Sequence, residues 1–369
     1  MSLVDPKKGA ISLMALDIPA SQTPDGLSQS FFGSRNRKIE NITVLGAGSW
    51  GTALAMAFAR AGLPVKLWGR NAEHIEDMKK DGTNAKYIPG VPLPDGILPT
   101  NDILDAVRGS DAIFVVTPSK AFKHVAREIA TSIRPGTPVI SCAKGLDPHT
   151  NGLLTTRIKR EIPQSVPMVL TGPSFASEVA NEQPTSVVLA GPTQLADALA
   201  EALATPNFQL ITETDLVGVQ VGGIMKNVIA IACGMADGLG HGSNTRASIL
   251  ARGLAEAGTL AAALGGNPIT LLGVAGAGDL ALTCTDAQSR NYSFGRALAD
   301  PEMTLSANTF EGAMSVSKVC QLMKALELDA EIAPAVEKAI TGDITPAELI
   351  DQLFACAMSE THAELQLTA

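Results

Sequence analysis

Ile42-Thr43-Val44-Leu45-Gly46-Ala47-Gly48-Ser49-Trp50-Gly51 decides how the rest of the chain is read. Four strand-type residues run straight into three glycines, and the Ala-rich stretch from Thr52 to Ala61 reads as a helix. Gly46 permits a tight turn, Gly48 lets backbone approach a pyrophosphate, and Gly51 lets the new helix pack on the strand. The helix start offers unpaired N–H groups and the positive end of its dipole to phosphates. A second strand, Val65-Lys66-Leu67-Trp68, follows, so the glycines sit in the context that a dinucleotide site requires rather than in an ordinary Gly-rich turn.

After that second strand comes Gly69-Arg70-Asn71, with no Asp or Glu to bind a ribose 2′-hydroxyl. An arginine can accept a 2′-phosphate, which allows and favours NADPH; the alternative is a solvated surface arginine. The segment Asp81 to Thr100 is rich in Pro and Gly, with Tyr87-Ile88-Pro89-Gly90-Val91 at its centre, and is expected to be a long ordered loop near the cofactor.

Composition bounds the remaining choices. At 369 residues two domains are expected, and 46% hydrophobic content makes this an ordinary globular chain. A formal charge of -9 and only 4% aromatics leave no basic face and no stacking platform for nucleic acid. The five cysteines are scattered without a CxxC pair, which fits a reducing cytoplasm. No signal peptide is evident, and apolar runs such as Val228 to Ala236 are too short to span a bilayer. No His/Cys/carboxylate cluster has metal-ligand spacing, so no metal is expected.

Residues 1–37 read as a mobile leader. From 38 to 212, apolar strands alternate with helices: Asp111 to Val116, Val139 to Cys142, Met168 to Thr171, Ser186 to Ala190 and Phe208 to Thr212 follow the first two. That alternation predicts a Rossmann-type α/β domain with a doubly wound parallel sheet. From 213 to 369 the chain turns Ala-, Leu- and Gly-rich at helical spacing, which predicts an all-α C-terminal domain for substrate binding and dimerisation. Its helices are expected at Gly218 to Gly240, Thr245 to Gly265, Phe294 to Ala299, Val316 to Leu326, Ala333 to Ile340 and Pro346 to Met358.

Two lysines stand out. Lys144 follows an apolar strand at the mouth of the sheet, and Lys226 interrupts an almost wholly apolar helix. Either each snorkels to solvent, or its amine is desolvated and titrates near neutrality as a general acid or base. A third group, Asp279, Thr283, Arg290 and Asn291, places a carboxylate, a hydroxyl and a phosphate-gripping pair close together; a capped helix start is the bland alternative.

Taken together, Gly46-Ala47-Gly48-Ser49-Trp50-Gly51-Thr52-Ala53, Ala143-Lys144-Gly145-Leu146, Gly172-Pro173-Ser174-Phe175-Ala176, Lys226-Asn227-Val228, Gly278-Asp279-Leu280, Ser289-Arg290-Asn291 and Glu311-Gly312 stand in the order seen in the NAD(P)-dependent glycerol-3-phosphate dehydrogenases. The chain resembles the bacterial biosynthetic branch over roughly Ile39 to Leu365. Gly69 stands where that family often has alanine before the arginine. The resemblance implies hydride transfer from NADPH or NADH to C2 of dihydroxyacetone phosphate, giving sn-glycerol 3-phosphate for phospholipid synthesis.

By the same resemblance, Lys226 is the catalytic proton donor and acceptor, Lys144 binds substrate between the domains, and Asp279 and Thr283 hold the lysine and the substrate hydroxyls. Ser289, Arg290 and Asn291 bind the phosphate, with Gly172 beside the substrate. Cofactor contacts carry over onto Ser49, Trp50, Arg70, Lys144, Ser174, Ala176, Arg290 and Glu311, with Tyr87 placed by the loop. His241, tempting as an acid, matches a loop and is expected to be structural. A β-hydroxyacid dehydrogenase would share the plan but take a carboxylate, and a non-catalytic NADPH sensor would not need Lys144, Lys226 and Asp279 together. A homodimer through the helical domain is expected, with Thr245 to Gly265 suited to close packing between subunits.

Overall fold

The computed structural model describes residues 38–300, 302–303 and 311–355; the expected leader lies outside them. Eight strands form one sheet in the order β3-β2-β1-β4-β5-β6-β7-β8. They are β1 (Ile42–Leu45), β2 (Val65–Trp68), β3 (Ile97–Thr100), β4 (Ala112–Val115), β5 (Pro138–Ser141), β6 (Val166–Thr171), β7 (Thr185–Ala190) and β8 (Phe208–Glu213). The first six are parallel, with Val44 of β1 beside Leu67 of β2 and Phe114 of β4. The order reverses between β1 and β4, and a crevice at the carboxyl ends of such strands is where open α/β sheets bind ligands.

The sheet departs from the expected all-parallel form at β7. β7 runs antiparallel to β6, with Thr171 beside Val188, and β8 runs parallel to β7. The cause is the connection after β6. It holds only a short helix, Ala176–Ala180, which packs on the helix after the glycine loop instead of crossing the sheet. Arg60 fixes it there by donating to the carbonyls of Val179 (3.2 Å) and Ala180 (2.8 Å).

The stretch from Asp81 to Thr100 is not wholly loop, because β3 ends it and pairs with β2. β3 is a sheet edge, so Pro99, which has no N–H to donate, sits opposite Leu67 without breaking an inner ladder.

Helices α1 (Ser49–Arg60), α2 (Ala72–Asp81), α3 (Ile103–Val107), α4 (Ser119–Ile129), α5 (Leu154–Glu161), α6 (Ala176–Ala180) and α7 (Thr193–Leu203) flank the sheet. On one face Phe58 of α1 meets Phe114 with ring centres 4.7 Å apart, both fully buried. On the other, Phe122 and Ile129 of α4 and Ile158 of α5 close a second core. Two buried charges brace the loop after β5. Asp147 accepts from Arg157 Nε at 2.9 Å and from the Thr150 hydroxyl at 2.6 Å.

After β8 come α8 (Leu216–Gly238), α9 (Ser243–Ala263), α10 (Asp279–Thr285), α11 (Arg290–Ala299), α12 (Glu311–Ala325) and α13 (Ile332–Thr341), with 346–355 also helical. The last residues of the expected Pro346 to Met358 helix fall outside the described range. α8 is the hub of this half, buried over Val217 to Ala236. By length and hydropathy it could cross a membrane, unlike the shorter runs expected from sequence, yet 94% of its most apolar stretch is packed inside the protein.

Glycines let the helices touch backbone to backbone. A Cβ at Gly234 would lie 2.0 Å from the Tyr292 carbonyl oxygen, and one at Gly295 would lie 2.1 Å from that of Ile231. The small residues of α9 are used in the same way: Gly253 faces Ile229, and Ala257 and Ala261 are buried in the same core. Their composition therefore reflects packing within the chain and does not by itself argue for contact between subunits.

Cys142, Cys233, Cys284 and Cys320 are free thiols, and Cys356 lies outside the described residues. His241 is exposed, and its backbone N–H donates to the Ala236 carbonyl at the end of α8.

Candidate active site

Lys144 follows β5 at the carboxyl edge of the sheet, and Gly172 follows β6 beside it. Gly172 has φ +149, and a Cβ there would meet Val187 Cα at 2.9 Å, so only glycine fits. Its carbonyl consequently faces Lys144, whose Nζ donates to it at 3.1 Å, and the Ser174 hydroxyl donates to the same oxygen at 2.9 Å.

Lys226 comes from the middle of α8. It is 7% exposed and donates to Asp279 Oδ1 in a short contact and to the Thr283 hydroxyl at 2.9 Å. Thr283 in turn donates to the Asp279 carbonyl at 2.6 Å, one helical turn back on α10. Asp279 is fully buried, and its other oxygen accepts from Lys144 at 2.8 Å. One carboxylate thus joins the lysine of the sheet to the lysine of the helical half.

A π-helical turn, Val274–Gly278, runs directly into α10 and aims this carboxylate. No side-chain cap opens α10, where Gly278 is already helical at φ -63, ψ -51, so the bland alternative of a capped helix start does not describe Asp279. Such wider turns recur at functional sites, where they re-aim a side chain. Gly276 makes the turn feasible, since a Cβ there would lie 2.0 Å from the Leu271 carbonyl oxygen.

Two cations on one anion leave Lys226 in an unfavourable setting for its charge. Burial pushes its pKa down to about 7 against the opposing pull of Asp279, and the charge of Lys144 adds to the fall. Asp279 orients the amine, but burial outweighs the support it gives to the ammonium form.

Beyond this cluster, Ser289 caps α11 by accepting from Tyr292 N at 3.3 Å. Arg290 is the first residue of that helix, exposed and with no side-chain hydrogen bond among the described residues. Asn291 is buried, and its Oδ1 accepts from Gly312 N at 3.1 Å. Gly312 is wedged between Asn291 and the backbone of Asn227, which brings the Ser289-Arg290-Asn291 run to the residue beside Lys226. Asn227 is a member of the site that the sequence did not single out: its Nδ2 donates to the Lys144 carbonyl at 3.2 Å and ties α8 to the sheet. A second polar residue beside a lysine in an apolar helix is the signal that could have found it.

The glycine loop has the shape of a phosphate cradle. Gly46 has φ +131, and a Cβ on it would crowd the Val116 carbonyl at 3.1–3.2 Å. A Cβ on Gly51 would lie 1.8 Å from the Gly46 oxygen, whereas Gly48 has open space around it. Ser49 and Trp50 begin α1, which has no side-chain cap and no acid in its first turn. Thr117, at the end of β4, keeps a buried hydroxyl without a partner among the described residues. An uncapped positive helix end beside an open glycine fits a pyrophosphate.

Arg70 is exposed just past β2, and Tyr87 is 39% exposed, its ring 5.4 Å from that of His74. Ala176 opens α6. Glu311 opens α12, but its side chain lies outside the described residues. No cluster of three or more metal-ligating side chains occurs among the described residues.

The sequence matches two family descriptions in tandem. Residues 41–196 match the NAD-dependent glycerol-3-phosphate dehydrogenase N-terminus, and residues 215–351 match the C-terminus of the same family. A glycerol-3-phosphate dehydrogenase (NAD(P)+) from Alkalilimnicola ehrlichii is 42% identical over 319 residues, covering 85% of this chain and 96% of the relative. The crystal structure of glycerol-3-phosphate dehydrogenase from Coxiella burnetii superimposes with a TM-score of 0.81 at 36% identity, covering 85% of this chain and 98% of that one. The yeast enzyme GPD1 gives a TM-score of 0.76 at 25% identity over 86% and 99% of the two chains.

Proposed function

The chain belongs to the NAD-dependent glycerol-3-phosphate dehydrogenase family of oxidoreductases, and from that premise we propose that it reduces dihydroxyacetone phosphate to sn-glycerol 3-phosphate. The observation that carries this reading is the buried carboxylate of Asp279 held between Lys226 and Lys144, at the edge of the sheet where the glycine loop also opens. A nicotinamide cofactor, when bound, supplies the hydride for C2.

The remaining work falls to the chain. The Lys226 ammonium faces the ketone oxygen, stabilises the alkoxide that develops there and passes it a proton. Its pKa of about 7 makes that proton available at neutral pH, and in the reverse direction the neutral amine takes the proton from the C2 hydroxyl. Asp279 and Thr283 hold the amine in place, and Lys144 adds a second cation toward the substrate. The helix-opening Arg290, with Ser289 and Asn291, takes the substrate phosphate, for which a guanidinium offers paired donors.

We further propose that NADPH is preferred, because exposed Arg70 stands where an acidic residue would select NADH. The same reading divides the chain at about residue 213, places it in a reducing cytoplasm, gives it a role in supplying phospholipid synthesis and expects a homodimer. Sedimentation should show a dimer, and a monomer there would remove the last point.

The deciding experiment follows NADPH oxidation with dihydroxyacetone phosphate, with unphosphorylated dihydroxyacetone and with a 2-keto acid. Rapid turnover confined to the phosphate ester is expected. Turnover confined to the keto acid, or tight NADPH binding with no turnover, would replace this reading with a hydroxyacid dehydrogenase or a sensor.

A further inference from the structure

We propose that Asn84 is a positioning residue for the dinucleotide's pyrophosphate, fixing the Ala47–Gly48 peptide so that the Gly48 N–H faces the phosphates. The inference rests on the NAD(P)H reading above. Asn84 lies in the loop after α2 and is 1% exposed. Its Nδ2 donates to the Ala47 carbonyl at 3.1 Å and to the Thr52 hydroxyl at 2.7 Å, and its Oδ1 lies 2.8 Å from His74 Nε2.

These partners leave one orientation for the amide. The Ala47 oxygen can only accept, so the group facing it is the NH2. Oδ1 therefore faces His74, which donates from Nε2. Three parts of the domain meet at this one side chain: the glycine loop, the first turns of α1 and helix α2.

The consequence for the loop follows from peptide geometry. A planar trans peptide holds its C=O and the following N–H on opposite sides. Anchoring the Ala47 oxygen inward on Asn84 turns the Gly48 N–H away from the protein interior, at the uncapped start of α1. Nothing lies within 4 Å of a Cβ built on Gly48, so a ligand can approach the backbone there closely. The Asn84 carbonyl also accepts from Tyr87 N at 3.0 Å and Ile88 N at 2.8 Å, so the same residue sets the turn that carries Tyr87. A leucine of similar size at position 84 would leave a buried carbonyl and a buried hydroxyl unpaired and free the peptide to rotate.

The test compares two ligands in the absence of substrate. Dissociation constants for NADPH and for adenosine 2′-phosphate, which has no pyrophosphate, are measured for the wild type, Asn84→Leu and His74→Phe, alongside thermal midpoints. His74 is only half-buried, so its substitution probes the same linkage without opening the core. We expect Asn84→Leu to weaken NADPH about tenfold or more and His74→Phe about threefold, with adenosine 2′-phosphate held within about twofold in both. If Asn84→Leu does not fold, the threefold, NADPH-selective loss in His74→Phe decides. Unchanged NADPH affinity, or equal weakening of both ligands, overturns the proposal. A wild-type protein that binds adenosine 2′-phosphate but not NADPH overturns the cofactor reading beneath it.

Discussion

Lys226 and Lys144 hold different oxygens of a single carboxylate, that of Asp279, although one lysine belongs to a helix and the other to the edge of the sheet. The pairing is unequal. Lys226 is the more deeply buried and also donates to Thr283, while Lys144 also donates to the Gly172 carbonyl. Lys226, whose charge burial disfavours, is the amine to which the proposed reaction assigns the proton transfer.

Lys226→Met keeps the length of the side chain and removes the amine. Turnover should fall on the order of a thousandfold, the usual worth of a positioned proton donor that also stabilises charge. NADPH affinity, measured by fluorescence titration, should barely move, because the glycine loop lies on other elements. A variant that retained most of its kcat would remove Lys226 from the proton transfer.

The depressed pKa of Lys226 gives opposite pH profiles in the two directions. Reduction needs the ammonium, so its kcat should fall as pH rises through about 7. Oxidation of sn-glycerol 3-phosphate needs the neutral amine and should rise over the same interval. Steady-state rates in both directions across that range check the sign, and parallel profiles would contradict it.

Arg290→Ala should raise KM for dihydroxyacetone phosphate by about ten- to a hundredfold, the loss of a hydrogen bond to a charged group. Slow turnover of unphosphorylated dihydroxyacetone should be the same in variant and wild type, because that substrate has nothing for the guanidinium to hold. An equal loss on both substrates would point to a misplaced helix rather than to a phosphate contact.

Asp147 predicts an acid-sensitive loop next to Lys144. Burial alone would raise its pKa, but the Thr150 hydroxyl and Arg157 hold it below the ordinary 3.8. A carboxylate lowered in the folded state contributes stability that is present above its unfolded value and lost as pH falls through the folded one. Asp147→Asn should therefore lower the urea midpoint at neutral pH. The gap to wild type should close once the pH is well below 3.8. A gap independent of pH would show that the loss comes from packing rather than from charge.

The strands and helices that carry the site were largely legible because each left a local mark: apolar runs ending in glycine, or apolar spacing at helical period. β3 was not, because a four-residue edge strand containing Pro99 has neither the length nor the composition of a strand. The direction of β7 was hidden too, since strand composition is the same whichever way the chain runs. The π turn before Asp279 depends on how Gly276 meets Leu271, a contact between backbones that no side-chain pattern records. Single residues of the site stood out as oddities, a lysine in an apolar helix above all. Their convergence on Asp279 depends on tertiary packing, and only the resemblance to a family anticipated it.

The start of α8 also sets a length. Glu213 lies beside Ala190, which is level with Val169 of β6, and α8 starts shortly after it. Val219 passes the level of Val169 and Val188, and Gly223 reaches Thr171 and Lys144. Lys226 comes ten residues after the helix begins, about 15 Å along its axis and just beyond the Gly223 that meets Lys144. α8 thus acts as a measuring rod: a residue inserted between Leu216 and Lys226 would swing the amine about 100° around the helix, away from Asp279.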